Sequence, residues 1–256
     1  VAIRIAGVRI QGGCDADRDR LAAHLFGMRR DRMAFAAFAF APPVVLAQLA
    51  VHAAENHDET LKHRLARNPS TPGGALETLT PAAGVPGAAR LSQLLARHSQ
   101  APHALLAAIA AHTDDITVMR ALCENARVPT DLLMQLEQRG IAPLQRLLAI
   151  HLATDQQTLA RLWTTTHTSA VRAQVLRHPY CPDALLRTMP ASVPERHSLA
   201  LHPRTPADSL ILLARDDDPT VRRAAALNVN TPSSALIPLC FDAQSAVRRA
   251  VAVRDD

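Results

Sequence analysis

The chain has 256 residues, with 28 Lys and Arg against 23 Asp and Glu, a formal net charge of +5. Hydrophobic residues make up 48%, which excludes a disordered chain, and no run reaches the ~18 consecutive apolar residues of a membrane span. Aromatic residues are only 3%, five Phe with Trp163 and Tyr180; the dominance of Ala and Leu suits thin layers of stacked helices better than one large core.

The opening VAIRIAGVRI alternates enough to read as a short strand. The chain does not begin with Met and its start lacks the plan of a signal peptide, so the start reads as trimmed. Residues 1–31 form an atypical N-terminal segment, and residues 32–256 read as one continuous repeat domain.

The repeat is visible when the chain is aligned on a Pro followed four and seven positions later by aliphatic residues. Pro42, Pro72, Pro102, Pro129, Pro182, Pro206 and Pro232 are such anchors, and Asp155 fills the one slot without Pro. The pairs run Leu46 and Leu49, Leu76 and Leu79, Leu106 and Ile109, Leu133 and Leu136, Leu159 and Leu162. Leu186 and Met189, Leu210 and Leu213, and Leu236 and Leu239 complete the series. That gives eight units at spacings of 24 to 30 residues. Offsets of four and seven place each pair on one helix face, so each anchor opens a helix of about two turns. Thr71, Thr154, Thr205 and Thr231 directly precede anchors, and Thr before Pro reads as an N-cap. A second helix precedes each anchor, starting about eleven residues before it, with Ala66, Ala96, Ala149, Ala200 and Ala226 at a slot of close helix contact.

Four residues before the anchors stand Asn68, His98, Asn125, His151, His178, His202 and Asn228. Both residue types tolerate the left-handed backbone of a helix end and can bond its last carbonyls, so this column reads as a capping ladder. Short helices at this spacing cannot bury their apolar faces alone; stacking them buries a continuous core, which makes the fold class an all-α solenoid.

The unit N-P-x-T-P-x-x-x-L-x-x-L followed by D-x-x-P-x-V-R-x-x-x-A resembles the leucine-rich repeat variant family. The residues that carry this are RNPSTPGGALETL, LHPRTPADSLILLARDDDPTVRRAAALN and VNTPSSALIPLCFDAQSAVRRAVAV. The resemblance implies a right-handed superhelix alternating α and 3₁₀ or short α helices, akin to HEAT-type solenoids. It also implies an iron–sulfur cluster in a Cys-rich N-terminal segment, known in a founding member. The sequence departs there, because Cys14 is the only Cys in the first 122 residues.

Candidate chemistry is sparse. Cys14, Cys123, Cys181 and Cys240 form no C-x-x-C pair, and the last three fall in three different repeat columns, so neither a disulfide scaffold nor a shared metal is expected. A reducing cytoplasmic setting follows. The cluster His52, His57, Asp58, Glu59 and His63 admits a metal, but it sits in a linker and reads better as a solvated turn. No G-x-S-x-G, phosphate-cradling Gly loop or H-E-x-x-H occurs, so the sequence assigns no catalytic residue and no cofactor.

The basic columns remain. Ten residues before the anchors are Arg32, Lys62, Arg172, Arg196 and Arg222, with Arg248 in the same pattern; one residue later come Arg120, Arg146, Arg223 and Arg249. They lie near helix N-termini, where the dipole disfavours cations, so something must offset them. The simpler reading pairs them with acidic turns such as Asp114–Asp115 and Asp216–Asp218; the alternative is a positive stripe along a phosphate backbone. With one Trp and one Tyr the chain lacks the stacking platform of the HEAT-type DNA glycosylases. The sequence therefore predicts a non-catalytic scaffold for a protein or peptide partner, with nucleic acid as the alternative and no membrane partner. The last unit ends at VAVRDD just after a second helix, which predicts fraying or self-association through that end.

Overall fold

A computed structural model describes residues 3–5, 8–10, 29–81 and 87–254. The opening ten residues hold two strands rather than one, β1 (Ile3–Ile5) and β2 (Val8–Ile10), paired antiparallel with Ile3 opposite Ile10. Cys14 lies outside the described residues.

Helices of two kinds then alternate. The leading helices are α1 (Arg29–Ala36), α3 (Glu59–Leu65), α5 (Ala88–Arg97), α7 (Ile116–Glu124) and α9 (Ala142–Ile150). They continue as α11 (Ser169–Arg177), α13 (Val193–Leu201), α15 (Pro219–Leu227) and α17 (Ser245–Ala252). The anchor helices are α2 (Pro43–Glu55), α4 (Gly73–Thr78), α6 (His103–His112) and α8 (Thr130–Gln138). The others are α10 (Gln156–Thr165), α12 (Asp183–Leu186), α14 (Ala207–Leu213) and α16 (Ser233–Leu239). No described helix is long and apolar enough to cross a membrane.

The chain forms two compact units, Val1–Leu132 and Leu133–Asp256, with the boundary inside α8. In the first, α1, α3, α5 and α7 pack in succession, and α2 packs on α4. In the second, α9, α11, α13, α15 and α17 stack in succession, and α14 packs on α16. From Arg29 onward the described residues of each unit form an all-α stack of consecutive repeats.

The aliphatic pairs of the anchor helices enter the core: Leu46, Leu76, Leu106, Leu159 and Leu210 are fully buried. A fully buried Leu contributes about 2–3 kcal/mol, so each repeat adds a similar increment. Met189 departs from the pattern and is 45% exposed. Its helix, α12, is a single turn ending at Leu186, and Pro190 disfavours helical backbone at the residue before it.

Two local expectations need correction. The leading helices open thirteen residues before the anchor, not eleven, as Glu59 does before Pro72 and Pro219 before Pro232. Four of the nine described carry their own polar cap; Asp58, Asp115, Ser192 and Asp218 accept from Leu61, Thr117, Glu195 and Thr220 backbone N–H groups. The Thr before each anchor is not an N-cap. The Pro holds that position, and the Thr hydroxyl donates backwards to the leading helix. Thr71 reaches the Leu65 carbonyl at 2.7 Å, Thr154 that of Leu148 at 2.7 Å, and Thr205 that of Leu199 at 2.6 Å. Each hydroxyl thereby adds a bond at the last turn of the helix, where the Leu65 and Leu199 carbonyls also accept from the Asn68 and His202 N–H groups. Asp155, in place of Pro, is a true N-cap and accepts from the Thr158 N–H at 2.8 Å.

Candidate interaction surface

The Asn and His column is built into the stack, but not in the left-handed conformation the sequence suggests. His98, Asn125, His151, His178, His202 and Asn228 are extended, with φ between −69° and −86° and ψ between 114° and 133°. What selects Asn or His is a pair of hydrogen bonds in opposite senses. On one side the side chain accepts from the backbone N–H two residues on. The Ser70 N–H donates to Asn68 Oδ1 at 3.0 Å, and those of Gln100, Ala153, Tyr180 and Arg204 donate to the Nδ1 atoms of His98, His151, His178 and His202 at 3.0–3.1 Å. The N–H groups of Arg127 and Asn230 donate likewise to Asn125 and Asn228 Oδ1.

On the other side the same side chain donates to the preceding repeat. In the first unit Asn68 donates to the Ala36 and Phe38 carbonyls, His98 Nε2 to that of Asn68 at 2.8 Å, and Asn125 to those of Ala96 and His98. In the second unit His178 Nε2 donates to the His151 carbonyl at 3.0 Å and His202 Nε2 to that of His178 at 3.2 Å; Asn228 donates to Ala200 and His202. An imidazole that accepts at Nδ1 and donates at Nε2 is neutral, and among side chains of this reach only it and a carboxamide combine the two roles. Burial, the larger influence, pushes the proton affinities of His98, His178 and His202 below the ordinary imidazole value, against the carbonyls they face. Arg254 occupies the next slot, donating to the Ala226 and Asn228 carbonyls at 3.1 and 2.5 Å.

The two basic columns divide by role. The first is taken up inside the fold. Lys62 is buried against Glu59 at 2.8 Å. The Arg172 guanidinium lies 5.3 Å from the Trp163 ring and donates to the Trp163 carbonyl. Arg196 and Arg222 each make a two-point contact, with Asp216 and Asp242, at 2.5 and 3.2 Å and at 2.7 and 3.1 Å. Arg222 also donates to the Asp216 and Asp217 carbonyls, and Arg248 to those of Asp242 and Ala243. These loop carbonyls and carboxylates offset the dipole that disfavours a cation near a helix start. Hydrogen bonding from Arg222 holds Asp242 below the usual carboxylate range. Arg32 is half-buried on α1. A stripe of free charge along this column is therefore corrected for Lys62, Arg172, Arg196, Arg222 and Arg248.

Arg120, Arg146, Arg223 and Arg249, one residue on, are exposed. Arg223 and Arg249 sit on the outer faces of α15 and α17 beside a groove of about 470 Å³, lined also by Leu227, Ala246, Ala250 and Val253. Neither guanidinium forms a hydrogen bond or ion pair with another described residue. Leu201 at the end of α13, Leu227 at the end of α15 and Val253 just after α17 are exposed. Sequence reasoning grouped the two columns as one basic feature; the signal that separates them is the acid repeated twenty residues after Arg196 and Arg222.

A comparison with protein-family models and with curated proteins finds no match. Among solved structures the chain is similar to one described as "a leucine-rich repeat variant with a novel repetitive protein structural motif". The identity is 22%, the TM-score is 0.55, and 82% of each chain is covered. The chain has the leucine-rich repeat variant fold. That fold explains why every column recurs: each leading helix presents the same inward face to its neighbours, leaving its outer face to vary.

The remaining candidates fall elsewhere. Cys123 and Cys181 are buried, which pushes both thiols up to about 12, whereas Cys240 is exposed at the end of α16. Around His52 to His63, His57 has φ +50°, Asp58 caps α3, and His63 Nδ1 lies 2.7 Å from the Glu59 carbonyl. Among the described residues no three His, Cys, Asp or Glu side chains are placed to hold a metal ion.

Proposed function

We propose that the protein is a non-catalytic scaffold that binds a protein partner along the outer faces of its leading helices. The observation that carries this reading is the contrast between adjacent arginines. Arg222 is consumed by Asp242 and two carbonyls, while Arg223 is exposed beside an apolar groove. Stable domains neutralise or solvate the charges they do not use; two guanidiniums bordering a row of exposed aliphatic residues instead match the composition of interface cores, which favour Arg. Nucleic acid is the weaker reading. The first basic column is committed within the fold, which leaves too few free cations for a continuous phosphate track.

The test is photo-crosslinking in the native host, with a benzophenone side chain placed at exposed Leu227 or Ala246 on the groove and at exposed Ser99 and Arg120 elsewhere. The proposal expects discrete protein adducts, strongest at the groove positions. Adducts to nucleic acid alone, or no protein adduct at any position, overturn it.

A further inference from the structure

The groove between α15 and α17 has a chemistry that selects among protein partners. Residues 219–254 contain five arginines and a single acid, Asp242, which Arg222 already engages. Arg248 and Arg254 are spent on backbone carbonyls. Among the described residues that line the groove, Arg223 and Arg249 are thus a pair of exposed cations with no acid beside them.

Their placement has a direction. Leu227 and Val253 each follow their arginine by four residues, so the aliphatic residue's backbone position lies ~6 Å further along the helix than the arginine's, Val253 being the cap residue of α17. Neighbouring stacked helices lie ~8–10 Å apart, so both long Arg side chains can close on one carboxylate set between them. Ala246 and Ala250 keep the floor shallow enough for backbone to approach. An extended peptide advances ~6.6 Å over two residues, so an acid and a second residue two positions on span the same distance.

We propose that this groove binds an extended peptide segment carrying an acidic residue two positions from an aliphatic one, Asp-x-Leu or Glu-x-Leu. The carboxylate sits between Arg223 and Arg249, and the aliphatic side chain rests on Leu227 and Val253. This rests on the scaffold reading above and names its ligand. Charge complementarity selects the acid and the apolar end selects the aliphatic residue. The groove lining holds no aromatic face on which a nucleobase could stack.

The test uses the full chain and a fluorescein-labelled peptide of three Asp-Ser-Leu units, followed by anisotropy over a salt series. The expected result is saturable binding, weakened about tenfold when Asn replaces Asp in the peptide or when Arg223→Ala and Arg249→Ala are combined. Leu227→Ser should weaken binding about fivefold while leaving its salt dependence unchanged. Arg120→Ala and Arg146→Ala should leave it unaltered. Binding within twofold of the parent in the double arginine variant, with circular dichroism confirming the fold, overturns the proposal. So does the absence of saturation at ~1 mM protein. Tighter binding of a labelled twenty-residue oligothymidine that the peptide cannot displace assigns the cations to nucleic acid. A dimer by sedimentation that is lost in the double variant and resists the peptide assigns the groove to a second copy. Peptide failure alongside protein crosslinks at other rows overturns the groove alone; failure of both overturns the scaffold reading as well.

Discussion

Asn228 offers a direct measure of what the capping ladder contributes. The residue is buried and makes three side-chain hydrogen bonds, donating to the Ala200 carbonyl at 2.7 Å and the His202 carbonyl at 2.9 Å, and accepting from the Asn230 N–H at 3.0 Å. Asn228→Ala removes all three and strands buried backbone groups. At about 1 kcal/mol per bond, with a further penalty for the Ala200 carbonyl, since that of His202 keeps the Thr205 N–H, the loss is about 3–4 kcal/mol. Asn228→His keeps the acceptor and one donor, as His202 does one repeat earlier, and should cost about 1 kcal/mol. Asn228→Asp keeps the acceptor but turns a charged oxygen toward two carbonyls, so it should match or exceed the Ala variant. Urea unfolding followed by far-ultraviolet circular dichroism at pH 7.5 ranks them by midpoint: parent, His, Ala, Asp. A His variant as unstable as Ala, or an Asp variant as stable as the parent, would refute the donor-and-acceptor account.

The imidazoles in the ladder give stability a pH dependence. The folded state holds His98, His178 and His202 below their ordinary proton affinity, so the unfolded chain takes up protons first. Stability should be complete above about pH 6.5 and fall as pH drops, by up to ~1.4 kcal/mol per pH unit for each histidine. Replacing all three by Asn should flatten the profile between pH 7.5 and 5, and an unchanged slope would contradict the assignment. Thr205→Val removes a buried hydroxyl from the Leu199 carbonyl while keeping the shape, and should lower stability by about 1 kcal/mol in the same urea assay. Alkylation of native protein at pH 8 should modify Cys240 and spare Cys123 and Cys181, whose burial holds the thiols protonated; peptide mapping reads the result.

The recurring parts of the fold were legible because each repeat solves the same packing problem with the same residues. The aliphatic pairs at offsets four and seven, the small residues where helices meet and the Asn or His column all follow from one chain against its neighbour. What escaped was direction. Thr71 and Thr205 look like caps for the helix that follows, yet they serve the helix before, because the Pro next to them already fixes the entry backbone. The Asn and His column suggested a backbone conformation, whereas its selection comes from hydrogen-bond polarity across two repeats, which no single unit displays. For the surface, sequence alone marked Arg222 and Arg223 as equivalent members of a basic band. One residue along a helix turns a side chain by about 100°, and that turn sends one to Asp242 and the other to solvent.

That pair also provides the most direct measurement. Arg222→Ala and Arg223→Ala should be compared side by side for urea stability and for binding of the Asp-Ser-Leu peptide. Arg222→Ala breaks a two-point contact with a mostly buried Asp242 and should lower stability by about 2–3 kcal/mol, leaving peptide affinity unchanged in urea-free buffer. Arg223→Ala should alter stability by less than about 0.5 kcal/mol and weaken the peptide several-fold. Equal effects of the two substitutions in both assays, or binding lost with Arg222 and kept without Arg223, would contradict the division between a structural and an interacting arginine column.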